Sequence, residues 1–159
     1  MVEFGKRYHK DDKLSFELLD ITASNVPLHF HGNFSHVFSI YCLHFVSNLR
    51  QAMKNIHLML KPEGEVFLSH MSKMPMFDAY ESLSQQTKWK PFMVDYRNKM
   101  NFCHQYSKNS VQLFEDLLVD IGFKVNVCIE EKRLIIYSKE YFLGISLNTI
   151  SQLSNETLL

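Results

Sequence analysis

Histidines, cysteines and acidic residues at strand ends are where this sequence could do chemistry. His29, His31 and His36 form an HxH…H cluster. Zinc sites usually combine histidine with Cys or Glu at tighter spacing, so these read as solvated histidines and no metal is expected. Cys42, Cys103 and Cys128 have no CxxC spacing and no activating base nearby in sequence. They read as buried thiols rather than nucleophiles. Asp20 closes the apolar run Leu14–Ile21 (LSFELLDI), and ligands of open α/β sheets bind at the carboxyl ends of strands. Its plainer alternative is an aspartate that caps a loop. Ser39, Tyr41, His44 and Phe45 lie at or just past a second such end, that of His36–Tyr41 (HVFSIY). For Ser39 and Tyr41 the alternative is strand packing, and for His44 a histidine at a helix start.

The chain that must position these residues has 159 of them, enough for one domain, residues 1–159. A chain of that size can bury about 68–70% of its unfolded surface without disulfides or metal. Hydrophobic residues make up 46% and charged residues 21%, which excludes intrinsic disorder. Lys plus Arg and Asp plus Glu balance at 17 each. A balanced surface argues against nucleic-acid binding, which needs a concentrated positive field. No apolar run approaches the length of a membrane span, and the charged opening MVEFGKRYHKDDK is no signal peptide. The odd number of cysteines is no disulfide framework and points to a reducing, cytoplasmic setting.

Periodicity supplies the elements. Met1–His9 reads as the tail of a helix, and LSFELLDI as a strand entering a buried sheet. His36–Tyr41 is a second strand. Leu49, Ala52, Met53, Ile56 and Leu60 recur at helical spacing, and Lys61-Pro62-Glu63-Gly64 stops that helix. Glu65–His70 is a third strand. Strand, helix, strand predicts a right-handed crossover and a parallel pair. In Met74–Asn101, Phe77, Tyr80 and Leu83 make one helical face, and Trp89, Phe92 and Tyr96 another. Asn109–Ile121 is a helix, capped by Asn109 or Ser110, with Leu113, Phe114, Leu117, Leu118 and Ile121 as its stripe and Gly122 at its stop. Lys124–Glu130 and Leu134–Tyr137 suit a C-terminal β-hairpin, and Phe142–Leu153 a last helix. The class is α/β.

Four segments in this order carry a resemblance: LSFELLDI, FSHVFSIYCLHFV, LRQAMKNIHLMLKPEGEVFL and NSVQLFEDLLVDIGFKV. The chain resembles S-adenosylmethionine-dependent methyltransferases of the Rossmann-like class I, and more narrowly the arthropod juvenile hormone acid O-methyltransferases. Departures are specific. Ser35 stands where the family usually has Asp, Phe45 where it has Trp, and Glu63 where it has a Gly. The five glycines contain no GxG, so the Gly-rich turn that lets backbone approach the cofactor is missing. The resemblance therefore implies a class I core lacking its first two strands and that loop. Met1 then reads as an internal methionine, the start of an incomplete gene model, or the start of a truncated product.

The resemblance also implies roles. Asp20 and Ile21 would hold the adenine of S-adenosylmethionine, and Ser39 and Tyr41 its methionine side. His44, Phe45, Phe77 and Trp89 would face the substrate, with residues 74–101 as a lid. The substrate implied is a small apolar carboxylic acid such as a farnesoic or juvenile hormone acid. A carboxylate is already ionised at neutral pH, so no catalytic triad is needed. Two other readings stand beside this one. The first is a non-catalytic remnant that binds an apolar ligand, or pairs with itself or a relative through an exposed sheet edge. The second is methylation of another small molecule.

Overall fold

The computed structural model describes residues 2–94, 96, 104–134, 136, 138–141, 143 and 144. The chain packs as two compact units. Unit 1 comprises Met1–Phe38 and Asn48–Phe67, and unit 2 comprises Ser39–Ser47 and Leu68–Leu159.

Unit 1 is organised by one amphipathic helix and a strand pair. α1 spans Val2–Tyr8. Its Gly5 is required by packing, since a Cβ there would come within 2.7 Å of the Phe16 ring. α2 spans Leu49–Met59, and the Asn48 side chain caps it by accepting from the Gln51 N–H. Ala52 and Met53 are wholly buried, with Leu49, Ile56 and Met59 beside them. This is the stripe read from the sequence, except that buried Asn55 joins it and Leu60 opens the next strand.

β1 (Phe34–Ile40) and β2 (Leu60–Ser69) form the two-stranded sheet of the described residues. The Asn33 N–H donates to Met59 at one end and the Tyr41 N–H to Ser69 at the other. Both strands therefore advance in the same direction, and the strand–helix–strand unit is parallel as expected. β2 begins earlier than Glu65 because the Lys61–Gly64 turn is folded into it. Glu63 adopts a φ of 61° there. Gly64 sits so close that a Cβ would lie 2.9 Å from the Lys61 carbonyl.

LSFELLDI is the main correction to the expected fold. It forms no strand, and Ile21 lies in a turn. Leu18 is 90% exposed. A strand needs a neighbour to satisfy its backbone, and β1 and β2 pair with each other rather than with it.

Unit 2 holds α3 (Pro75–Ser84), which starts on Pro75, and α4 (Ser110–Ile121). Phe77 and Tyr80 are buried, and Met74, Met76, Leu83, Met93 and Tyr96 pack around them. α4 stops where Gly122 takes a φ of 113°. There Phe123 N–H bonds Leu118 and Gly122 N–H bonds Val119, a Schellman closure. Two details differ from expectation. Asn109 makes no side-chain cap, and Ser110 Oγ donates to Glu130 instead. Leu113 is half exposed, leaving Phe114 and Leu118 as the buried stripe.

The described residues of 124–137 form no strand. Ile135 and Tyr137 of the expected hairpin lie outside the described residues, as does most of Phe142–Leu153. An isolated hairpin is marginal without a sheet or helix to pack on. No described helix is long and apolar enough to cross a membrane.

Candidate functional site

In unit 1, Asp20 is exposed and held by its own loop. Its Oδ1 accepts from Thr22 N–H at 2.8 Å and from Thr22 Oγ1 at 2.7 Å. These two bonds, the hydroxyl first, hold its carboxyl below the usual range. Asp20 thus caps its own loop through Oδ1. The Ile21 carbonyl accepts from Asn55 Nδ2 at 2.7 Å, and Ala23 accepts from the same amide at 2.9 Å. Asn55 therefore positions this loop. Its spacing from Ala52 and Met59 puts it on the buried face of α2.

The three clustered histidines go separate ways. His29 Nε2 meets Glu17 at 3.1 Å, and His31 Nε2 donates to the Val26 carbonyl at 2.9 Å. His36 lies on β1, with Nδ1 3.2 Å from Ser35 Oγ. Among the described residues no group of three metal-binding side chains could hold an ion.

In unit 2, Ser39 is half-buried at the end of β1. Tyr41 has a φ of 51°, a conformation costing a bulky residue about 1–2 kcal/mol, and its side chain is exposed. The strain turns the chain sharply at the strand's carboxyl end, into a single 3-10 turn at Leu43–Phe45. His44 is buried on that turn and Phe45 is exposed, their rings 4.1 Å apart. Burial first, and the nearby His70 second, pull the His44 imidazole below the ordinary histidine value. Cys42 is exposed rather than buried, and Cys128 is half-buried, its Sγ facing the Val111 carbonyl. Cys103 lies outside the described residues.

Phe77 and Trp89 are not brought into one cluster. Phe77 is at the centre of the Met-lined group on α3. Trp89 is 41% exposed, with Lys88 Nζ 4.8 Å over its ring. The segment is braced by Gln105, which spacing did not mark. Its Oε1 accepts from Met74 N–H at 2.7 Å, and its Nε2 donates to Met74 and Asp78. Glu130 makes a second brace. It accepts from Ser72 and Ser110 and faces Lys73, which together hold its carboxyl below the usual range, the Ser72 bond most strongly.

Residues 1–68 match a methyltransferase domain family. The chain is 39% identical to juvenile hormone acid O-methyltransferase of Drosophila melanogaster over 125 residues, 77% of this chain and 42% of that protein. The chain is methyltransferase-like. Identity to juvenile hormone acid O-methyltransferase of Bombyx mori is 35% over 89 residues, 56% of this chain and 32% of that protein. The resemblance read from the four segments is therefore borne out, and the parallel pair with its crossover helix fits the α/β class of such enzymes. The methyltransferase-like chain spans less than half the length of these two relatives.

Proposed function

We propose that this chain serves S-adenosylmethionine-dependent methylation of the carboxylate of a small apolar acid, of the farnesoic or juvenile hormone acid kind. The observation that carries the reading is the joint match to the methyltransferase family and to two juvenile hormone acid O-methyltransferases. S-adenosylmethionine, when bound, supplies an activated methyl group. The acid arrives ionised, so the protein's work is alignment and exclusion of water. In this reading Asp20 and Ile21 address the adenine and Ser39 and Tyr41 the methionine side. His44, Phe45, Phe77 and Trp89 face the acid, under a lid from residues 74–101. The methionine-rich packing around Phe77 supports the lid, since Met side chains adapt to irregular apolar shapes. A cytoplasmic location belongs to the same reading, supported by the free thiols of Cys42 and Cys128.

The residues fit one end of the cofactor better than the other. The adenine amino group needs an accessible ionised carboxylate, and Asp20 is one. The methionine end needs a glycine cradle. Gly5 and Gly64 are filled by their own neighbours, Phe16 and Lys61. Gly32, with a φ of 58°, serves the turn before β1. None of these three glycines makes that cradle. The fit suits a class I core without its first two strands and Gly-rich loop.

The lack of a cradle at these three glycines also favours a second reading, a non-catalytic module that binds an apolar ligand or a partner. Phe38 and Phe67 expose apolar surface on the strand pair. Calorimetric titration with S-adenosylmethionine separates the two. Micromolar binding, followed by methyl ester formation from farnesoic acid, is the expected result. No heat at millimolar cofactor overturns the enzymatic reading.

A further inference from the structure

The methyl-transfer reading leaves buried polar groups of unit 2 unused, His104 above all. His104 is 7% exposed, and neither ring nitrogen has a hydrogen-bond partner among the described residues. An unsatisfied buried polar group costs about 1–3 kcal/mol, and such groups are rare in native proteins. Phenylalanine at this position would avoid the cost.

The surroundings define what the ring can bind. His70 is half-buried, its ring centroid 6.3 Å from that of His104. Phe114 meets both rings edge-on, at 4.7 Å from His70 and 6.1 Å from His104. The neighbouring rings are aromatic, and the imidazole nitrogens are the polar points among them. Burial holds both imidazoles below the ordinary histidine value, and so uncharged at neutral pH. Glu130 opposes this at His104 without reversing it. A neutral imidazole offers one N–H and one acceptor nitrogen. It suits a hydroxyl or a carbonyl. An anion there would gain no opposite charge from the rings and would face the field of the Glu130 carboxylate.

We propose that His104, walled by His70 and Phe114, is a binding contact for a neutral oxygen, hydroxyl or carbonyl, on an otherwise apolar small molecule. The contact needs no methyl donor.

The test follows the histidine ring nitrogens of the full chain by nitrogen-15 NMR while decanol, a ketone of equal length, or decanoate is added. The alcohol and the ketone are expected to move the His104 signals and to bind about tenfold more tightly than decanoate, a difference of about 1.4 kcal/mol. His104→Phe is expected to bind decanol about tenfold more weakly and to melt no lower than the parent. A lower melting temperature with unchanged decanol affinity assigns His104 a packing role and overturns the proposal. Decanoate binding more tightly than decanol overturns it as well. If His104→Phe does not fold, the parent decides, and His104 signals unmoved by decanol refute the contact. None of these readouts uses S-adenosylmethionine, so a failure here and a failure of the methyl-transfer reading are distinguishable.

Discussion

Asn55 in unit 1 and His104 in unit 2 are both buried polar side chains, at 3% and 7% exposure. Asn55 donates to the Ile21 and Ala23 carbonyls and accepts from Gln51 Nε2. Among the described residues the His104 ring nitrogens have no hydrogen-bond partner, and neither has the buried Tyr80 hydroxyl. The polar group of unit 1 is satisfied inside a close-packed helix stripe. Unit 2 keeps unsatisfied polarity beside aromatic rings. Local violations of packing rules tend to collect where proteins bind things, and this is the ground on which the further ligand contact is proposed in unit 2.

The comparison can be broken by mutation. The largest effect belongs to Met53→Ala. Met53 is wholly buried, and truncation there is expected to cost about 2–5 kcal/mol in urea unfolding. Asn55→Leu comes next. It strands two carbonyls, and a loss of about 1–3 kcal/mol is expected. If Asn55→Leu melts like the parent, unit 1 does not depend on its polar clamp and the contrast fails.

Acid should sharpen the contrast. His44, His70 and His104 are all held below the ordinary histidine value, burial being the first cause in each. The unfolded chain therefore takes up protons first as the pH falls. Stability is full above the ordinary histidine range and declines as the pH drops through it. Melting followed from neutral to mildly acidic pH should show that decline, and His104→Phe should flatten it.

Glu63→Gly should gain up to about 1 kcal/mol, read as a higher melting temperature, because glycine adopts positive φ without steric cost. Tyr80→Phe should change stability least, by under about 1 kcal/mol and in the favourable direction, since it removes a hydroxyl that has no partner. A large loss on Tyr80→Phe would show that unit 2 is satisfied in ways the geometry does not reveal.

Much of the fold was legible because it is local. α2 and α4 follow from a repeat of three to four residues, and Gly122 stops α4 by a conformation that its neighbours in sequence predict. The substitution at Glu63, noticed as a departure from a familiar turn, falls on a residue of positive φ. The strand reading of LSFELLDI failed because alternation and apolar content describe a side-chain pattern, whereas a strand also needs a paired backbone. The buried reading of Cys42 failed for a related reason. Residue type sets an average preference for the interior, and the sharp turn at Tyr41 leaves this thiol outside.

Site residues divide along the same line. Asp20, Ser39, Tyr41, His44 and Phe45 could be named from strand ends and motif order, because both are properties of the chain's succession. Asn55, Gln105, Glu130 and His104 could not. Each matters through partners remote in sequence or through the lack of one: Asn55 reaches back to Ile21, Gln105 to Met74, and Glu130 to Ser72. The amino-acid order by itself determined the helices, their stops, the parallel crossover unit and the methyltransferase likeness, since these depend on periodicity and on motifs in line. Tertiary structure alone decided which polar groups are satisfied, because hydrogen bonding and burial are settled by whatever folding brings within a few ångströms.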